Sequence, residues 1–184
     1  GNGDGKAADK VATEAMRKVL QDSEVHTRVV IGEGERDDAP MLYIGEEMGN
    51  PESDLKIDIA VDPLECTNHC AKDLPDALSV LAAAPRGALL NAPDTYMNKL
   101  CGSSKLMGHI ALDNSVEENL SQAAKALQKN ISELKIIVMD RERHIDLISI
   151  LKDLGVQPIL IGDGDVSGGL KAAEGSVDLL YGIC

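Results

Sequence analysis

The sequence predicts an α/β protein in two lobes, an α+β lobe followed by a lobe built on a parallel sheet. Three observations predict this. A helical run opens the chain and is followed by strands that alternate strictly or pair across tight turns. A break containing Gly102-Ser103-Ser104 follows, between Cys101 and Gly108. Beyond it, strands and helices alternate in a βαβαβ order. The lobes are accordingly expected at residues 1–108 and 109–184, and 184 residues can bury a core without disulfides.

From Lys6 to Leu20, Ala8, Val11, Ala12, Ala15, Met16 and Val19 recur at helical spacing. Arg28–Ile31 reads as a short strand that runs into the acidic segment Gly32-Glu33-Gly34-Glu35-Arg36-Asp37-Asp38. In Ile57–Asp62 strict alternation puts Ile57, Ile59 and Val61 on one face and Asp58, Ala60 and Asp62 on the other. Pro63 lacks a ladder donor and is expected to end that strand. Ala77–Ala84 and Gly87–Asn91 read as two more strands turned at Pro85-Arg86, which gives a largely antiparallel first sheet.

In the second lobe Ser115-x-x-Glu118 opens a helix with a capping box. Strands are expected at Leu134–Met139, Gln157–Ile161 and Val177–Tyr181, with helices at Arg143–Leu154 and Val166–Ala173. Parallel sheets bind ligands beyond the carboxyl ends of their strands. Here those segments are Asp140-Arg141-Glu142-Arg143, Gly162-Asp163-Gly164-Asp165 and Gly182-Ile183-Cys184, and the last, ending just after a strand, reads as cut rather than finished.

Composition narrows the function. A formal charge of −13 repels a polyanionic backbone, and without Trp or Phe there is no platform for stacking bases, so nucleic-acid binding is not expected. No apolar run approaches the roughly 18 residues that span a bilayer, so no membrane partner is expected. Cys66, Cys70, Cys101 and Cys184 are irregularly spaced and read as free thiols in a reducing compartment; Cys66-x3-Cys70 lacks the second pair a structural zinc site needs.

Three constellations can carry chemistry. Asp58 and Asp62 share a strand face, with Glu65 just beyond and Thr67-Asn68 opening the next segment. That set is either a solvated acidic strand end or a site for a hard divalent cation such as Mg²⁺ or Mn²⁺. The acidic run from Glu33, with Asp4 and Asp9 flanking the first helix, is either a solvated surface or part of the same site, clamping a phosphoryl group through its cations. Arg141, Arg143 and His144 form either a surface ion-pair cluster or a cradle for an anionic substrate, since guanidinium meets phosphate bidentately. Tyr96 can lend its hydroxyl to a sugar or be satisfied within a core, and His26, His69 and His109 carry no pattern.

Asp62-Pro63-Leu64-Glu65-Cys66-Thr67 resembles the Asp-Pro-x-Asp/Glu-Gly-Thr motif of the lithium-sensitive, metal-dependent phosphatases. Val30-Ile31-Gly32-Glu33-Gly34-Glu35-Arg36-Asp37, Ala39-Pro40-Met41-Leu42-Tyr43-Ile44-Gly45-Glu46 and Ala92-Pro93-Asp94-Thr95-Tyr96-Met97 narrow the likeness to class II, GlpX-type fructose-1,6-bisphosphatases. That family includes cyanobacterial enzymes that also hydrolyse sedoheptulose-1,7-bisphosphate. The resemblance implies a layered αβαβα sugar-phosphatase fold, C-terminally incomplete here, and removal of the 1-phosphate of a ketose bisphosphate by a cytoplasmic homo-oligomer, or a plastid one if a transit peptide preceded it. It implies Asp9, Glu33, Asp62 and Glu65 as ligands of Mg²⁺ or Mn²⁺, with Asp62, Glu65 and Thr67 as the catalytic set. Thr67 would orient the attacking water, and Glu65, Cys66 and Thr67 would meet the phosphate. Tyr96, Arg141, Glu142, Arg143, Asp163, Gly164 and Asp165 would hold the sugar and its second phosphate. Cys66 departs from the family's glycine, Glu142 from its proline, and the chain ends where the family continues with Gly-Gly-Ala-Pro-Glu-Gly. These departures support the alternative of a catalytically impaired fragment or diverged copy that binds metal or sugar phosphate, or pairs with a full-length subunit.

Overall fold

In the computed structural model, which describes residues 3–34, 41–92 and 95–184, the protein is an α/β chain with two four-stranded mixed sheets. The chain divides into two compact units, Gly1–Asp94 and Thr95–Cys184. That division lies upstream of the boundary expected at residue 108, because a strand not read from the sequence, β5, belongs to the second sheet. Residues 35–40 of the acidic run, with Pro93 and Asp94, lie outside the described residues.

The first unit opens with helix α1, Gly5–Gln21, whose N-cap Asp4 accepts a hydrogen bond from the Ala7 N–H at 3.0 Å. Asp4, grouped with the acidic run above, thus has a structural task. Strands β1 (His26–Ile31), β2 (Glu47–Met48), β3 (Lys56–Glu65) and β4 (Leu78–Pro85) form a sheet in the order β2-β1-β3-β4. Its outer pairings are antiparallel, as expected, but the central β1-β3 pair is parallel. Val29, Leu42, Met48, Ile59 and Val61 form its core, with Met16 and Leu20 of α1 packed against them.

Two expectations change here. Pro63 does not end β3; the strand continues to Glu65 through a register shift between Asp62 and Glu65, where the missing N–H costs no ladder bond. The segment Gly87–Asn91 is not a strand. Arg86 and Gly87 instead fold back on Asp58, which accepts from the Gly87 N–H at 2.6 Å. The short helix α2, Thr67–Ala71, follows β3.

In the second unit β5 (Asn98–Gly102), β6 (Ile136–Met139), β7 (Ile159–Ile161) and β8 (Leu179–Ile183) lie in the order β5-β8-β6-β7. β6 runs parallel to β7 and β8, the predicted βαβαβ arrangement, and β5 closes the other edge antiparallel to β8. Every residue of β6 is buried, because both faces of the sheet are covered. Ile136 and Val138 pack in a core with Leu120 of α3 (Val116–Leu127) and Leu151 of α4 (Ile145–Asp153). On the opposite face Ile137 and Leu180 pack with Ala172 of α5 (Asp165–Glu174). Ser115 caps α3 by accepting from the Glu118 N–H at 3.1 Å, the N-cap half of the expected capping box. Among the described residues no helix is long and apolar enough to cross a membrane.

Candidate active site

In the first unit three elements bring carboxylates together. Asp9 stands on α1, Glu33 in the turn that follows β1, and Asp62 near the carboxyl end of β3. Loss of hydration, and after it the negative charges of Asp9 and Asp62, hold the Glu33 carboxyl above the usual carboxylate range. The turn carrying Glu33 is tight: a Cβ on Gly32 would lie 2.1 Å from the Leu42 carbonyl oxygen, so only glycine fits beneath it. Asp62 Oδ1 accepts from the Leu64 N–H at 3.0 Å, which fixes its carboxylate over the bulge.

The segment after β3 completes the expected motif. Glu65 is half-buried at the strand's end. Cys66 is 5% exposed and adopts φ 70°, in the left-handed region where glycine is at ease. Thr67 begins α2, and its hydroxyl donates to the Leu64 carbonyl at 3.0 Å. The hydroxyl proton is thus committed, and the oxygen's lone pairs can only accept from an incoming water.

Asp58 does not belong to this group. It is 1% exposed and is held by Arg28, whose Nε and Nη2 each donate at 3.0 Å, and by Arg86 at 3.2 Å. Burial alone would raise its pKa, but the Arg28 and Gly87 hydrogen bonds and both guanidinium charges hold it below the ordinary carboxylate range.

Carboxylates supply all-oxygen donors, whose chemistry fits a hard cation. Among the described residues, no three His, Cys, Asp or Glu groups close on one point as ligands of a single ion.

In the second unit the expected anion-binding residues gather at the carboxyl ends of β6, β7 and β8. Arg141 donates to the Asp140 and Gly162 carbonyls at 3.0 and 2.6 Å, bridging the loops after β6 and β7. Arg143 lies 4.6 Å over the Tyr96 ring, and its Nε donates to the Ile183 carbonyl at 2.8 Å. Glu142 is exposed between the arginines. Asp163 accepts from the Gly164 N–H at 3.1 Å, and Asp165 pairs with Lys99 of β5 at 2.6 Å. Lys99 escaped the sequence reading, since a single lysine without a recognised strand carries no signal. His144, grouped there with the arginines, is 1% exposed and turned inward, so it does not face a ligand. Cys184 lies near Asp165, Lys99 and Arg143, and burial, then Asp165, pushes its thiol up.

Carboxylates near one mixed sheet, and guanidinium groups at the carboxyl ends of parallel strands in the other, suit an α/β protein that handles phosphate groups. The chain belongs to the family described as bacterial fructose-1,6-bisphosphatase, glpX-encoded, whose profile matches residues 1–184. It is similar to proteins named D-fructose 1,6-bisphosphatase class 2/sedoheptulose 1,7-bisphosphatase. The match from a Synechococcus species is 46% identical over 183 residues, covering 94% of this chain and 53% of the relative. That from Thermosynechococcus vestitus is 46% identical over 184 residues, with the same 94% and 53% coverage. That from Crocosphaera subtropica is 43% identical over 196 residues, covering 100% and 57%. The chain thus spans about half the length of these relatives.

Proposed function

We propose that the chain hydrolyses the 1-phosphate of fructose-1,6-bisphosphate, and of sedoheptulose-1,7-bisphosphate, as a metal-dependent phosphatase of carbohydrate metabolism. The observation that carries this reading is that Asp9 of α1 and Asp62 of β3 lie close enough to Glu33 for their charges to act on its carboxyl, in a chain of this family. Asp9, Glu33, Asp62 and Glu65 would hold Mg²⁺ or Mn²⁺; when bound, the cation neutralises phosphoryl charge and lowers the pKa of water. Thr67, its proton committed to Leu64, orients the attacking water, and Asp62 and Glu65 complete the catalytic set. Water adds to phosphorus as the bond to the C1 oxygen breaks, giving inorganic phosphate and the ketose monophosphate. The backbone from Glu65 through Cys66 to Thr67 meets the departing phosphate. Tyr96, Arg141, Glu142, Arg143, Asp163, Gly164 and Asp165 hold the sugar and the second phosphate, with guanidinium giving the bidentate grip. The first unit is thereby the metal-binding part and the second the sugar-phosphate part, working as a cytoplasmic homo-oligomer.

Phosphate release from fructose-1,6-bisphosphate with Mn²⁺ or Mg²⁺ tests the reading. Metal-dependent release is expected in the unmodified chain, and Asp62→Asn is expected to lower it by roughly a thousandfold. Cys66 supports a second reading, in which a side chain at the motif glycine lets the chain bind metal or sugar phosphate without turnover. Release that appears only in Cys66→Gly would support that second reading. Its absence in both proteins would sink the phosphatase reading for this chain.

A further inference from the structure

The 3-10 turn Glu142–His144 carries two neighbouring side chains that hold the same residue of β8. Arg143 Nε donates to the Ile183 carbonyl at 2.8 Å, and the Ile183 N–H donates to His144 Nε2, also at 2.8 Å. On the other side of the ring, His144 Nδ1 lies 2.8 Å from the Met139 carbonyl. A backbone N–H only donates and a carbonyl only accepts, so these partners select one state of the ring: proton on Nδ1, lone pair on Nε2. A proton on Nε2 would set two donors face to face in a place that is 1% exposed. The imidazole therefore ties the carboxyl end of β6 to that of β8, directly beneath the turn that carries Arg143. Space at the ring is closed as well. A Cβ on Gly182 would lie 2.8 Å from His144 Nε2, closer than real Cβ contacts come, so glycine at 182 and histidine at 144 are a matched pair.

We propose that His144 is a positioning residue for Arg143: its Nδ1–H tautomer pins the Ile183 N–H, and the carbonyl of the same residue in turn fixes the guanidinium over Tyr96 in the orientation that meets a phosphate. This rests on the sugar-phosphate reading of the second unit and names what sets its guanidinium fork. A histidine placed only to fill the core would be replaceable by an apolar side chain of similar size without moving Arg143. A histidine acting as a positioning residue would be replaced only by a side chain that keeps an acceptor for Ile183.

The test uses the full chain with His144→Leu, His144→Gln and Gly182→Ala, and fructose 6-phosphate as the probe. His144→Leu and Gly182→Ala are each expected to weaken binding by roughly tenfold. His144→Gln keeps an oxygen that accepts from Ile183 and is expected to restore most of the affinity. In ¹⁵N NMR the unmodified chain is expected to show a protonated Nδ1 and a bare Nε2. The upfield ring-current shift of the Arg143 side-chain protons over Tyr96 should persist in His144→Gln and vanish in His144→Leu. Gly182→Ala approaches the same contact from the other side, so the proposal remains open to refutation if His144→Leu does not fold. Equal affinities across the set, or a proton found on Nε2, would overturn it. If the unmodified chain binds no fructose 6-phosphate, the sugar-phosphate reading fails, and the ring-current shift alone decides the positioning role. Its survival in His144→Leu would then overturn that role.

Discussion

Cys66 puts a side chain at a backbone angle that favours glycine. At φ 70° a residue with a Cβ pays about 1 kcal/mol that glycine does not, and a β-branched side chain pays more. Cys66→Gly is therefore expected to leave the urea midpoint unchanged or to raise stability by about 1 kcal/mol, partly offset by the looser unfolded chain. Cys66→Val is expected to cost about 2 kcal/mol at the same site. If valine is tolerated as well as glycine, the angle does not govern the turn. The position was legible in the sequence because the motif flags it, but the angle was not, since φ is set by how β3 hands over to α2. His144 makes the same point: its proximity in sequence to two arginines read as a shared task, while folding turned it inward.

At the scale of elements, Asp58 binds three segments of the first unit into one. Arg28 reaches it from β1, it stands on β3, and Arg86 and Gly87 reach it from the turn that ends β4. Asp58→Asn is expected to lower stability at neutral pH by about 2 kcal/mol, since a buried charge-assisted network loses its charge. The folded state depresses this carboxyl, so its contribution is complete above the unfolded pKa of about 3.9 and is lost as pH falls through the folded value. The difference between the two proteins in urea titrations should therefore stay constant above about pH 5 and narrow below about pH 3.9. A constant difference down to pH 2 would show that Asp58 acts through shape alone. This network also explains why Gly87–Asn91 was misread: β-prone residues there yield to a turn that serves a buried carboxylate. Strand β5 was missed for a related reason. Asn98, Lys99 and Gly102 have weak strand preference, and β5 exists because it can pair with the distant strand β8.

For the whole molecule, a charge of −13 sets the response to cations. On the proposed reading that Asp9, Glu33 and Asp62 hold a metal, divalent ions are expected to stabilise the chain beyond what a monovalent salt of equal ionic strength provides, because screening does not replace ligation. At a hundredfold excess over its dissociation constant, Mn²⁺ or Mg²⁺ is expected to add about 2.7 kcal/mol to the unfolding free energy, read as a rise in Tm. Asp62→Asn should reduce that rise to the level of the monovalent salt. Equal shifts from both kinds of salt in the unmodified chain would remove the metal-holding role of these carboxylates.

The amino-acid sequence by itself determined the α/β class, helix α1, the cap of α3, the βαβαβ order of the second unit and the family, because local periodicity and a nearly continuous motif need no distant partner to be read. Only the tertiary structure decided that Asp58 is a buried structural anion while Asp62, on the same strand face, joins Asp9 and Glu33. Alternation assigns a residue to a face, whereas the elements packed against that face decide whether its charge meets an arginine or another carboxylate. The tautomer of His144 was decided in the same way, since a ring nitrogen takes its role from the backbone group that folding brings to it.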